Sequence, residues 1–247
     1  MSAVRLAIVG AVAHVTLTRA DARNALNIAM CEELLAAARR AGADPNVRLV
    51  LLRAEGPVFS AGADLKERKG MSEDQVRARR LKAFAAYDAL ESLPMPVVAV
   101  VEGPAIGSGC EIAAACDFIV ATPAASFRTP EALWGTVGAT QRLPRILGKR
   151  LAKDMMFTGR TLSAAEAAGA GLVARLVPPE RVEETLAAIT KTIAEAPAAS
   201  IKAAKRSIDR GIELDPRGAL ATELLEIEGI LAGADWRAGI AGFGDKR

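Results

Sequence analysis

Short apolar runs alternate with amphipathic segments through most of the chain. Runs of aliphatic and β-branched residues predict strands, and apolar positions that recur at a helical period predict helices. The predicted strands cover residues 4–9, 13–18, 48–53, 96–101, 118–121 and 172–177, and the longer helices cover residues 28–41, 72–92 and 141–157. Strands that alternate with helices in this way indicate an α/β fold.

The pattern changes in the last quarter of the chain, where helix follows helix. The predicted breaks between these helices lie at Pro197, 211–216 and 233–235. We therefore divide the chain into an α/β core, residues 1–195, and a C-terminal helical region, residues 196–247. Because these helices follow a core that is already complete, we expect them to mediate oligomer assembly.

A strand, a glycine turn and a helix start meet within residues 96–117. Gly103-Pro104 ends the strand, Gly107-Ser108-Gly109 allows a tight turn, and Glu111 opens an apolar helix. Backbone N–H groups in such a turn converge on one point and suit an anion, or an oxygen that becomes one during a reaction. Two simpler interpretations stay open here. The glycines could form only a tight turn, and Glu111 could merely complement the helix dipole. A dinucleotide site is disfavoured, since Ile112 stands where a third glycine is needed.

Other helix starts carry their own signals. Ser72 with Gln75 and Ser163 with Glu166 predict capping boxes. Thr129-Pro130 predicts a helix capped by Thr129, which makes Glu131 a first-turn acid. On the helix over 72–92, Val76, Phe84, Tyr87 and Leu90 are predicted to face the core, and Arg77, Arg79, Arg80 and Lys82 to form a solvated face.

The composition excludes several kinds of chemistry. His14 is the single histidine and falls in an alternating strand, so we expect a surface or edge-strand position. This disfavours Ser-His-Asp and multi-histidine metal sites, and we predict no metal and no redox cofactor. The three cysteines lack metal-ligand spacing, and with no signal or membrane span they predict free thiols in the cytoplasm. A net charge of +3 is too small to indicate a nucleic-acid partner.

A second small-residue turn, Ala61-Gly62-Ala63-Asp64, also leads towards a helix. One N–H from each turn could hold a carbonyl oxygen between them. Glu111 and Glu131 each open a predicted helix downstream of a turn, and paired carboxylates can divide acid and base roles.

In these motifs the chain resembles the enoyl-CoA hydratase/isomerase (crotonase) superfamily, almost from end to end. The motifs that carry the resemblance are Arg23-Asn24-Ala25-Leu26-Asn27, Phe59-Ser60-Ala61-Gly62-Ala63-Asp64-Leu65-Lys66-Glu67, Gly107-Ser108-Gly109-Cys110-Glu111, Pro130-Glu131, Thr140-Gln141-Arg142-Leu143-Pro144-Arg145, Thr158-Gly159-Arg160, residues 167–173 and residues 235–243.

The resemblance implies a spiral of ββα units, a helical C-terminal region that forms trimers or dimers of trimers, and acyl-CoA substrates. It assigns an oxyanion hole to the backbone N–H groups of Ala63 and Ser108. Glu111 would activate water for attack at C3 and Glu131 would protonate C2, which makes the chain most similar to an enoyl-CoA hydratase. Substrate contacts are implied for Arg23, Ala25, Ala61, Gly62, Asp64, Leu65, Gly107, Phe243 and Lys246, the last from a neighbouring subunit.

The chain departs from the family at two places. Ser108 stands where the family often has glycine. The link 132–139, between Glu131 and the Thr-Gln-Arg motif, is about three residues shorter than in the family's hydratases, and loops of this kind tune function. A displaced Glu131 would favour an isomerase or another acyl-CoA reaction.

A non-catalytic, RNA-binding member of the family is a further alternative. That branch carries a lysine-rich helix after the Asn-Ala-Leu motif. Here the corresponding helix has Glu32, Glu33, Arg39 and Arg40 but no lysine, which disfavours RNA binding.

Overall fold

The computed structural model of the chain describes residues 2–233, 236–237 and 240. The strands are β1 (Val4–Val9), β2 (Val12–Leu17), β3 (Leu49–Ala54), β4 (Val97–Val101), β5 (Pro104–Ile106), β6 (Phe118–Ala121), β7 (Ser126–Arg128), β8 (Thr161–Ser163) and β9 (Arg175–Leu176). The helices are α1 (Ile28–Ala43), α2 (Leu65–Arg68), α3 (Glu73–Glu91), α4 (Ser108–Ala114), α5 (Arg142–Thr158), α6 (Ala164–Gly169), α7 (Val182–Glu195), α8 (Ala198–Gly211) and α9 (Pro216–Leu231).

The main sheet has the strand order β1-β2-β3-β4-β6-β9. β1 and β2 form the predicted antiparallel hairpin, and every later pair in this sheet is parallel. All residues of β4 are buried, which explains why its sequence is an unbroken apolar run.

A second, smaller sheet lies alongside and has the order β5-β7-β8. Single parallel bridges extend it, joining Ser60 to Ala105 and Leu26 to Ala63. After β2, β3, β4 and β6, the chain therefore makes an extended contact in this second layer before the next helix. These repeated ββα units confirm the α/β spiral that the resemblance implies.

The core occupies both faces of the main sheet. On one face, α1 and α3 contribute buried residues such as Leu34, Tyr87 and Leu90. On the other face, Leu186 and Ile189 of α7 pack against β3, β4 and their neighbours. The site described below lies where the first of these layers meets the second sheet.

Helix caps follow the sequence at two of the three predicted places. The Ser72–Gln75 and Ser163–Glu166 capping boxes are both formed. The prediction at Thr129 is wrong, because the chain there forms a single 3-10 turn, Glu131–Trp134, with Pro130 at the cap position. The buried Thr129 hydroxyl has no hydrogen-bond partner among the described residues.

Four smaller predictions also need correction. Arg79 is not solvated but 5% exposed. His14 is half-buried, and its strand β2 lies between β1 and β3 rather than at an edge. α4 begins at Ser108 instead of Glu111. The last strand pairs only at Arg175–Leu176, since Leu172 and Val173 are buried in the core without joining the sheet.

Helix α7 ends at Glu195 and α8 begins at Ala198, while the division of the chain into two regions at residue 195 stays a prediction. α8 and α9 pack against each other and leave large apolar side chains in the open. These include Ile208, Ile212, Leu220, Leu224 and Leu225. No helix in the described part of the chain is long and apolar enough to cross a membrane.

Candidate active site

A cavity of about 570 Å³ brings the two predicted turns and the two glutamates together. Its walls come from the 61–69 segment, α3, the turn after β5, and the segment that follows β7. Among the predicted site residues, the lining includes Ala61, Gly62, Ala63, Leu65, Gly107, Ser108, Glu111 and Glu131. A volume of this size suits a small-molecule ligand.

The backbone at Ala63 is fixed by its pairing with Leu26. The Leu26 N–H donates to the Gly62 carbonyl at 2.8 Å, and the Asp64 N–H donates to the Leu26 carbonyl at 2.8 Å. In a parallel bridge of this kind, the N–H of the middle residue points to the opposite side. The Ala63 N–H therefore points away from Leu26 and is available to a ligand.

Ser108 offers the second N–H. It is the first residue of α4, where a helix leaves its N–H groups without intrahelical acceptors. Gly107 precedes it with φ +54°, a conformation that favours glycine. Among the hydrogen bonds between described residues, neither the Ser108 N–H nor the Ala63 N–H has an acceptor.

The two turns are in close contact, which explains the glycine at position 62. A Cβ built on Gly62 would lie 2.7 Å from the Ile106 carbonyl oxygen and 3.5 Å from the Ser108 nitrogen. A side chain at position 62 would thus force the turns apart. The close approach keeps the two N–H donors side by side.

Glu111 is a buried carboxylate in the first turn of α4. It is 6% exposed, and its Oε1 lies 3.4 Å from Nη1 of Arg142. Burial raises the pKa of Glu111 above its ordinary value, while the nearby Arg142 guanidinium opposes that rise. A carboxylate whose pKa is raised is a stronger base than an ordinary glutamate, which suits it to accepting a proton.

Glu131 lines the same cavity although the 132–139 link is short. Its carboxylate packs against Gly107 and Gly138, where added Cβ atoms would lie 2.7 Å and 3.1 Å from Oε1. Its Oε2 is buried and has no hydrogen-bond partner among the described residues. Burial raises the pKa of Glu131, and the negative charge of Glu111 raises it further.

Three of the predicted substrate residues are not among the residues that line the cavity. Asp64 caps α2 and pairs with Arg19 at 3.1 Å. The carbonyl of Arg23 accepts a hydrogen bond from the Ala61 N–H at 2.9 Å, while its side chain is exposed. The Ala25 carbonyl accepts a bond from the Arg19 guanidinium. Phe243 and Lys246 lie outside the described residues.

Sequence reasoning missed several residues of the site. Tyr87 was predicted to face the core and is buried there, but its ring also borders the cavity. Phe84 was predicted to face the core as well, yet it is 40% exposed and lines the cavity. The centroids of the two rings lie 5.9 Å apart, edge to face. Arg79 also lines the cavity, where it pairs with Glu67 at 2.9 Å and donates to the Leu26 carbonyl. The recurrence of these residues along α3 indicates a buried face but not which part of that face borders a cavity.

The arrangement suits the chemistry of a thioester. Two N–H donors side by side can stabilise negative charge on a carbonyl oxygen. Two carboxylates with raised pKa values can accept and deliver protons. No group of three or more histidine, cysteine, aspartate or glutamate residues in the described ranges is placed to hold a metal ion.

Comparison with known proteins agrees with this geometry. The sequence profile of a family described as enoyl-CoA hydratase/isomerase matches residues 7–247. A Rhizobium meliloti protein named "Probable enoyl-CoA hydratase" is 36% identical over 241 residues, which is 96% of this chain and 93% of that protein. A Mycosarcoma maydis protein named enoyl-CoA isomerase/hydratase fer4 is 33% identical over 246 residues, which is 95% of this chain and 90% of that protein.

The fold of the chain is also similar to that of a solved structure. The crystal structure of an enoyl-CoA hydratase from Bacillus anthracis superimposes with a TM-score of 0.95 at 36% identity, covering 99% of this chain and 97% of that one. Sequence and fold agree over nearly the whole length, and the chain therefore belongs to the enoyl-CoA hydratase/isomerase family.

Proposed function

We propose that the protein is an enoyl-CoA hydratase, which adds water reversibly to a 2-enoyl-CoA thioester. The observation that carries this proposal is the pair Glu111 and Glu131 in one cavity with the N–H groups of Ala63 and Ser108. Hydration needs one group to take a proton from water and another to give one to C2. A double-bond shift moves a proton between two carbons, and a single carboxylate can do that.

The mechanism follows from the charges. The Ala63 and Ser108 N–H groups hold the thioester oxygen and stabilise it as the acyl group becomes enolate-like. Glu111 accepts a proton while water attacks C3, and Glu131 delivers a proton to C2. Hydration is not a redox reaction, so the proposal includes no redox cofactor, and it includes no metal because the two N–H donors take the role of stabilising the negative charge.

A substrate panel tests the proposal. We expect the protein to convert 2-enoyl-CoA thioesters to 3-hydroxyacyl-CoA, and to convert 3-enoyl-CoA thioesters slowly or not at all. Product identification by mass spectrometry distinguishes hydration, which adds 18 Da, from a double-bond shift, which adds nothing. A protein that shifts the double bond of a 3-enoyl-CoA and leaves 2-enoyl-CoA unhydrated is an isomerase, which is the second candidate.

We further propose that the protein forms trimers or dimers of trimers through its C-terminal helices. Ile212 is 72% exposed and Leu225 is 74% exposed, and apolar surface of this extent is typical of an interface. Light scattering should give the mass of three or six chains. A monomer that persists at micromolar concentration would contradict this proposal. A cytoplasmic location and the absence of a nucleic-acid partner stay predictions from the composition.

A further inference from the structure

One arginine connects the candidate base to the surface of the protein. Arg142, the first residue of α5, has one guanidinium nitrogen 3.4 Å from Glu111 Oε1. Two other nitrogens of the same group donate to Oε2 of Glu91, the last residue of α3. The side chain of Arg142 is 18% exposed, so it lies between the buried Glu111 and the half-exposed Glu91.

Arg142 binds Glu91 more closely than it binds Glu111. The Nε and Nη2 groups of Arg142 form a pair of parallel donors, which we call the guanidinium fork. Both of them donate to Glu91, which leaves Nη1 for Glu111. A distance of 3.4 Å is beyond the usual 2.7–3.2 Å of an N–H···O bond. A free arginine would grip a carboxylate with both arms of the fork. The guanidinium also lies 5.9 Å from the centroid of the Tyr87 ring, which limits its movement.

We propose that Arg142 is a positioning residue for Glu111, and that Glu91 limits its hold to one long contact by occupying the guanidinium fork. This rests on the proposed function, in which Glu111 is the base that takes a proton from water. A tight two-armed pair would orient Glu111 well but weaken it as a base. Without Arg142, the buried carboxylate would keep the Ala139 N–H and the charge of Arg80, but it would lose its main stabilising neighbour and would resist ionisation more strongly.

Other charged and titratable groups also surround Glu111. From α3, Arg80 and Tyr87 face the cavity, and the 3-10 turn contributes Glu131. Cys110 is its buried neighbour on α4. The strands β5 and β6, which pack against α4, contain no charged residue. Arg142 differs from these groups because an ion pair outside the cavity, with Glu91, sets its position.

The test compares Arg142→Gln and Glu91→Gln across pH. The acid limb of kcat/KM, which reports ionisation of the base, should move to higher pH in Arg142→Gln. It should move to lower pH in Glu91→Gln, because the released fork can then grip Glu111. At a pH below the wild-type limb we expect Arg142→Gln to lose about tenfold in kcat/KM, a typical effect of one nearby opposite charge. Loss of fold alone cannot shift the limb in two directions.

Three further variants complete the test. Arg142→Lys keeps the positive charge, so the acid limb of its kcat/KM should lie closer to the wild-type pH than that of Arg142→Gln. In the double variant Arg142→Gln with Glu91→Gln, the effect of Glu91 should vanish, since it acts through Arg142. Arg145→Gln is the matched control: it removes the same charge one turn along α5, where Arg145 pairs with Glu213 at 2.8 Å, and should leave the limb unchanged.

A titration that needs no turnover separates this proposal from the proposed function. The carboxyl carbon of Glu111, labelled with ¹³C and assigned by its loss in Glu111→Gln, can be followed by NMR. Opposite shifts of this titration in the two variants would support the positioning role even in a protein that hydrates no substrate. Unchanged titrations, or shifts in the same direction, would overturn it.

Discussion

Replacing either glutamate of the cavity by glutamine should lower hydration by about 10²–10⁴-fold, the usual contribution of a positioned acid or base. Glutamine keeps the size of the side chain and removes its proton-accepting charge. Glu111→Gln would leave water without a base, and Glu131→Gln would leave C2 without a proton donor. Both variants should still bind the acyl-CoA, since the cavity walls and the N–H donors are unchanged.

The double variant Glu111→Gln with Glu131→Gln should be little worse than the poorer single variant. Residues that act as a unit are not additive, because removing one already disables the other. Turnover of a 2-enoyl-CoA is measured beside direct binding of the same ligand by calorimetry. Glu102→Gln serves as the matched control, since Glu102 pairs with Arg53 outside the cavity lining and should hydrate at the wild-type rate.

One pattern of results would contradict the hydratase assignment. If Glu111→Gln hydrates at the wild-type rate while Glu131→Gln abolishes a shift of the double bond from position 3 to position 2, the protein is an isomerase. Under the proposed mechanism the two reactions place similar demands on the site. Both would use the same pair of N–H donors, and both would need at least one of the two carboxylates that share this cavity.

Much of the fold follows from local sequence signals. The apolar runs of β3, β4 and β6, and the two capping boxes, act within a few residues, so the sequence predicts them directly. The second sheet could not be predicted in this way. Its strands β5, β7 and β8 have three residues each, and the Leu26–Ala63 bridge pairs single residues, too few for any periodicity.

The same distinction between local signals and long-range contacts applies to the candidate site. Gly62, Gly107 and the two glutamates belong to compact motifs, so the sequence suggests them. The contacts around them join distant segments, such as Arg142 with Glu111, or Arg79 with the Leu26 carbonyl 53 residues away. Arg79 shows the limit well. Its neighbours along α3 are charged and the pattern favours a solvated face, but Glu67 provides a half-buried partner that only the folded chain brings close.

A proline at position 108 should lower turnover by about 10²–10³-fold, the typical cost of losing one oxyanion-hole donor. Proline removes the Ser108 N–H and leaves the rest of the turn in place. The first position of a helix tolerates proline, because its N–H makes no intrahelical bond. Gly107 has no Cβ to clash with the new ring, which eases the usual restriction on the residue before proline. Circular dichroism and binding of free CoA would show that the protein is folded.

Ser108→Gly is the matched variant, because it removes the hydroxyl and keeps the N–H. It should retain most of the activity if Ser108 acts through its backbone. A role as nucleophile would need a base for the hydroxyl, and the single histidine, His14, lies on β2 and does not line the cavity. A folded Ser108→Gly protein without turnover, or an acyl group trapped on Ser108, would refute the oxyanion-hole assignment. Equal losses in Ser108→Pro and Ser108→Gly would also refute it, since the N–H distinguishes the two variants.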